Sequence, residues 1–281
     1  MSLATQYIPA AYSLATLGVW GASDFLGGVG AGRANAFLFT AIVHVSALVF
    51  VSALALLTHA SFPGTDSLLW ALLAGSVGGS SLVFFYRALA SGNMGLVAPV
   101  AAVLSAAIPT AVTAFAHGLP GYRRFLGFIL AGIGVWLISR TEGGAGHPKG
   151  IGMAVLCGVG FAAFYLCIHQ AGSASALWVA GCSRLASFVV TGAIVLFARH
   201  LRVIPAPVLG IAVAAGMLDV TGTVVFIHAS QIGRLDEAVV LSSLYPAVTV
   251  LLARIFLHEH FSRARTFGMV AALVAVPMIA G

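Results

Sequence analysis

Ten long apolar runs, separated by short stretches of glycine, proline and charge, constrain this chain more than any other feature. That punctuation bounds them at 8–30, 36–57, 68–89, 96–117, 122–139, 150–169, 176–197, 207–229, 238–257 and 266–281. A helix needs about 20 apolar residues to cross a bilayer, so ten spans use about 200 of the 281 residues and leave no room for a soluble domain. A closed barrel also satisfies its backbone in lipid, but its strands alternate polar and apolar residues, and the unbroken runs exclude it. The expected fold is an all-α integral membrane protein of ten transmembrane helices.

Composition agrees. Charged residues make up 7% of the chain, against about 25% in soluble domains, too few to cover a soluble globule of 28.7 kDa. The net charge of +6 could suggest nucleic acid, but the 13 basic residues lie singly or in pairs, mostly at helix ends, and form no basic stripe. No nucleic-acid partner is expected. Cys157, Cys167 and Cys182 are odd in number and sit inside apolar runs, which argues against disulfides and CxxC metal chemistry; they read as small packing residues. The first run lacks a basic n-region and is too long for a signal peptide, so it is expected to stay in the mature protein.

Sliding the sequence by 141 residues against itself aligns the predicted helices one to six, two to seven and onward, with no gap. Identical pairs include Gly75/Gly216, Phe85/Phe226, Gly92/Gly233, His117/His258 and Arg124/Arg265. The chain therefore reads as two five-helix repeats, 1–141 and 142–281, joined by the hydrophilic stretch 140–149, RTEGGAGHPK. Five is odd, so the second repeat enters the membrane from the opposite side. Inverted repeats of this kind are the architecture of many secondary transporters, with the binding site near the midplane between them.

Four motifs then carry a resemblance. WGASDFLGG in the first predicted helix, YRALASGNMGLVAPV across the third and fourth, SSLYPAVTVLLA in the ninth and FLHEHFSRARTFG leading into the tenth resemble the EamA-type, ten-helix branch of the drug/metabolite transporter superfamily, over essentially the whole chain. One departure is that the acidic residue the family carries after its fourth helix is Gly118 here, while Glu259 occupies the counterpart position. The resemblance implies a multi-pass secondary transporter, often an exporter of amino acids or other small metabolites, with a bacterial inner membrane as the expected location. It also implies that the first four helices of each half wall the cavity, the fifth and tenth being peripheral.

Orientation reads two ways. Three basic residues, Arg123, Arg124 and Arg234, fall on the N-terminal side and nine on the other, with Arg184 inside a span. The positive-inside rule then puts both termini outside, whereas the resemblance puts them in the cytoplasm.

Ionisable groups inside a span cost about 2.5–3.5 kcal/mol at the centre and mark functional candidates; here they are Asp24, His44, Arg184 and Asp219. At about 1.5 Å per residue, Arg184 lies about 12 Å and Asp219 about 15 Å from one side, on consecutive antiparallel helices, close enough to pair. Asp24 and His44, at about 9 and 12 Å from the other side, suggest a second acid–base pair. These groups could exchange protons as the cavity changes exposure, or Arg184 could receive a substrate carboxylate. The plainer alternative is a structural ion pair, a wetted Asp24 and a His44 bonded to a neighbouring helix carbonyl.

At the repeat offset Trp20 aligns with Phe161 and Asp24 with Tyr165, one turn apart on one face of each helix. With Phe84, Phe85, Tyr86 and Tyr245 they supply aromatic surface for planar or apolar substrate parts, or plain packing. Pro99 and Pro109 are expected to interrupt the fourth helix and Pro246 the ninth, each freeing a carbonyl that neighbours or cavity water must satisfy. Gly75, Gly78, Gly79 and Gly216, with the Gly28/Gly32 pair, read as close-packing points. His258-Glu259-His260 lacks the HExxH spacing that sets two imidazoles on one helix face, so no metal or other cofactor is expected; Glu259 is expected to cap the tenth helix or pair with Arg263 or Arg265.

An intramembrane aspartyl protease needs two carboxylates at one level and a GxGD sequence, which is absent; no Walker A loop or carbonyl filter sequence is present either. The reading is a non-enzymatic exporter or exchanger working by alternating access, driven by protons or another gradient. Its partners would be a small-molecule substrate and the lipid bilayer, and its state a monomer or homodimer. A lipid flippase or membrane scaffold is the alternative.

Overall fold

Each apolar run is helical because a backbone in lipid satisfies its N–H and C=O groups only from within itself. The computed structural model describes residues 3–91, 94–117, 121–139, 150–197, 199, 203–233, 235–258 and 262–280. Their order is α1 (Leu3–Ala31), α2 (Ala36–Leu57), α3 (Thr65–Leu89), α4 (Met94–His117), α5 (Tyr122–Ser139), α6 (Ile151–Gln170), α7 (Ala176–Phe197), α8 (Ala206–Ile232), α9 (Leu235–Ser242), α10 (Tyr245–Phe256) and α11 (Arg263–Ala280). By length and composition α2, α3, α6, α7 and α8 can each cross a membrane. Large apolar side chains such as Val49, Leu196, Phe197, Leu251 and Phe267 point outward, as a protein solvated by acyl chains requires.

Local signals fix several boundaries. Asn35 caps α2, its side-chain oxygen accepting from the N–H groups of Phe37 and Leu38 at 3.0 and 3.2 Å. Gly150 precedes α6 with φ of 100°, a left-handed conformation that costs glycine least. Pro205 and Pro207 bracket the start of α8, where a missing N–H breaks no helical bond.

The ninth predicted run is interrupted at Pro246 as expected, folding as two helices, α9 and α10, with a turn at residues 243–244. Pro246 has no N–H to give the carbonyl of Ser242, and α9 ends at Ser242. By contrast α4 runs through both Pro99 and Pro109, so these two do not interrupt it as expected. Each removes one bond from a helix that packing against α6, α10 and α11 holds on several sides. The stretch 140–149, together with Glu259 and its expected cap or ion pair, lies outside the described residues.

Helix pairings repeat between the halves. The helices α1 and α8 pack together, as do α6 and α3; α2 packs on α8 as α7 packs on α3; α1 packs on α9 and α10 as α6 packs on α4. Two contacts, α2 with α7 and α5 with α11, join counterparts directly. Glycine makes the tightest of these approaches possible. A Cβ at Gly75 would strike the backbone carbonyl of Ser183 on α7, and one at Gly216 the carbonyl of Val43 on α2. Ser187 fastens the first contact by donating to the Gly75 carbonyl at 2.8 Å.

Candidate functional site

Two side-chain bonds from α1 set its register against α8. The Trp20 indole N–H donates to the carbonyl of Asp219 at 3.1 Å, and the Ser23 hydroxyl to that of Ala215 at 2.9 Å. This antiparallel register puts Asp24 about one turn, roughly 6 Å along the axis, from Asp219. The depths expected from sequence do not give this closeness, because they are counted from helix ends as though every helix began in one plane. Asp24 therefore joins the second half's charges. It lines one cavity with Arg184 and Asp219, and the expected Asp24–His44 pair does not form.

That cavity, about 470 Å³ of space unfilled by atoms and partly open to the exterior, lies between α1, α3, α6, α7, α8 and the start of α10. Trp20, Phe161, Phe164, Tyr165 and Tyr245 supply its aromatic wall, and Gly78, Leu82 and Thr223 fill the gaps. Arg184 and Asp219 pair within it, Nη2 to Oδ2 at 3.1 Å, both nearly closed off from the surface. The same Nη2 donates to the Thr223 hydroxyl at 2.6 Å, and Thr223 donates in turn to the Asp219 carbonyl at 2.9 Å. Nε of Arg184 completes no hydrogen bond, and Asp219 Oδ2 is held by charge without an aligned one. The pair is thus fixed on one side and has donor and acceptor capacity in reserve.

Behind the wall the rings interlock. Trp20 stacks at a tilt on Phe226, with centroids 5.4 Å apart, and meets Tyr165 at 6.1 Å and the edge of Tyr245 at 6.2 Å. The helix break places Tyr245, since it is the first residue of α10. Thr249, one turn on, donates to the Gly21 carbonyl at 3.1 Å and ties α10 to α1. Tyr86 is fully buried and shares a hydrogen bond with Ser23, 3.3 Å between oxygens.

Of the residues singled out from sequence, Trp20, Asp24, Phe161, Tyr165, Arg184, Asp219 and Tyr245 converge on this cavity, and His44 and Phe84 do not. His44 is fully buried, faces the Gly79 backbone and completes no well-aligned hydrogen bond. Phe84 points to α2, where it meets Phe37 edge-on at 6.3 Å. Pro99 and Pro246 line a separate apolar cleft with Arg254, Thr266 and Met269. Among the lining residues, sequence reasoning read Gly78 only as a close-packing point and missed Leu82, Phe164 and Thr223. The repeat offset carries the signal for two of them, because Asp219 and Thr223 minus 141 are Gly78 and Leu82. Four offset pairs thus face the cavity: Trp20/Phe161, Asp24/Tyr165, Gly78/Asp219 and Leu82/Thr223.

The family model for the EamA-like transporters matches residues 148–281, the stretch that carries Phe161, Arg184, Asp219 and Tyr245. Over those residues the chain is similar to the EamA-like transporter family. That match and the all-helical fold are consistent with a multi-pass membrane protein of the drug/metabolite transporter superfamily. No curated protein matches the sequence significantly. In shape the chain is similar to a crystal structure of another protein, with a TM-score of 0.67 and 18% identity over 96% of this chain and 95% of that one, which shows a shared fold.

Proposed function

We propose that this EamA-like protein is a secondary active transporter that exports a small metabolite, an amino acid or a related compound, by alternating access. The aromatic cavity around Arg184, Asp219 and Asp24 is its binding site. The observation that carries this reading is a buried ion pair facing open space between the two halves, where structural packing alone would leave no space. An ion pair in a membrane interior is costly, and a substrate or coupling proton gives it a use. Two inverted five-helix units, 1–141 and 142–281, form the transporter. The exchange of helix pairings between halves supports that division, as do the offset pairs around the cavity. Both termini face outward, in keeping with the excess of Arg and Lys on the opposite side.

A thermal-shift screen of the purified protein against amino acids, aromatic amines and acids, nucleosides and lipids tests the assignment, since a ligand of the folded state raises apparent stability with its concentration. A saturable shift with one soluble class, lost when Leu82→Trp fills the cavity, is expected. A response confined to lipids would replace the reading with a flippase or scaffold.

A further inference from the structure

Taking that cavity as the substrate site, we infer that it selects a protonated amine without a carboxylate, whose ammonium group pairs with Asp24 and whose planar body lies among Trp20, Tyr165 and Tyr245. The argument is one of charge. Three ionisable groups face the cavity, Asp24, Arg184 and Asp219. Arg184 and Asp219 already neutralise each other at 3.1 Å, so the carboxyl group left without a counter-charge is that of Asp24. Among the described residues Asp24 makes no hydrogen bond and no ion pair, although it is only 7% exposed and borders the open space. A carboxylate so enclosed is stable only with a cation or a proton upon it. Its nearest like-charged neighbour is Asp219, which deepens the local negative potential.

The surroundings fit the same ligand. Trp20 sits one turn from Asp24 on the same helix face, and Tyr165, Tyr245 and Tyr86 lie within electrostatic range of the Asp24 carboxylate. Ring faces attract an ammonium group, Trp most strongly, and they stack on a planar body. A zwitterion would bring a second negative charge to a site whose arginine is already engaged by Asp219 and Thr223. An anion would leave Asp24 uncompensated.

Three probes share one ring and differ in charge: phenethylamine, phenylalanine and 3-phenylpropionate. Calorimetric titration of the full-length protein in detergent at neutral pH is expected to rank phenethylamine first by about tenfold or more in Kd. Asp24→Asn should erase that preference, and Asp24→Glu, which keeps the charge, should retain it. Size-exclusion profiles of both variants establish that they fold. Tighter binding of phenylalanine or 3-phenylpropionate overturns the charge assignment and leaves the cavity as the site. Binding of phenethylamine that Asp24→Asn does not weaken overturns the role of Asp24. Binding that survives Leu82→Trp overturns the cavity reading itself, and silence from all three probes at millimolar concentration overturns both.

Discussion

Removing both partners of the Arg184–Asp219 pair should cost no more than removing one. The guanidinium of Arg184 is 5% exposed and anchored through Nη2 to Asp219 and Thr223, while its Nε already lacks a hydrogen bond. Asp219→Leu leaves that cation with a single hydroxyl; Arg184→Met leaves the carboxylate with no counter-charge in contact. Breaking a fully buried pair from one side costs about 3–5 kcal/mol. The pair borders an open cavity, so the lower end applies, about 3 kcal/mol for each single variant. In Arg184→Met/Asp219→Leu the pair is removed whole, and the total should stay at about 3 kcal/mol, giving a coupling energy of about 3 kcal/mol. Equilibrium unfolding of the four proteins in mixed detergent–SDS micelles measures each value. Additivity within about 0.5 kcal/mol would refute the reasoning, because it would show that the two charges do not sense each other.

Thr223→Val keeps the shape and removes the hydroxyl that accepts from Arg184, so the same unfolding assay should register a loss of about 1–3 kcal/mol; no change would mean that water replaces it. Gly75→Ala and Gly216→Ala each force a methyl group against a backbone carbonyl of the partner helix. Both should destabilise by about 1–3 kcal/mol or more, while Gly18→Ala, with nothing within 4 Å of the added carbon, should not. Asn35→Ala removes the α2 cap and should cost about 1 kcal/mol, with faster amide exchange at Phe37 and Leu38 as its local signature. Pro246→Ala restores the N–H that can reach the Ser242 carbonyl, and slower exchange across residues 242–246 should report a continuous helix; unchanged exchange would mean that packing, not proline, makes the break.

Helix positions were the most legible part of the sequence. Lipid imposes one rule on every backbone group, and the bounds expected for α2, α5 and α7 are those observed. The Arg184–Asp219 contact was legible too, because neighbouring antiparallel helices make depth along the axis a direct guide. Depth failed for Asp24, whose level follows from the Trp20 and Ser23 bonds across to α8, and no count from a helix end contains those. It failed for His44 and Phe84 in another way: their depth says nothing about azimuth, and their faces turn to neighbouring helices. The prolines were ambiguous because a missing N–H is a local fact, whereas whether a helix breaks there depends on what surrounds it; Pro246 ends up at a break, and Pro99 and Pro109 inside a continuous helix. Gly78 and Leu82 carry no chemistry of their own and enter the wall only as partners of Asp219 and Thr223.

The four offset pairs around the cavity match in position but not in kind: glycine stands opposite aspartate, leucine opposite threonine, and aspartate opposite tyrosine. Had the two halves been chemically identical, trading their conformations would yield the same molecule turned over, and both openings would have equal free energy. Under the proposed alternating access, the trade would leave the ion pair on α7 and α8 while the packing around it changed, and the two openings would be unequal in free energy. The empty protein would then have a resting side, and the waiting time on each side would differ. Gradients would still decide the net direction of transport. The mismatched pairs would set how long each half-cycle takes, and substitutions such as Gly78→Asp or Leu82→Thr, which make the wall more alike, would shift that balance.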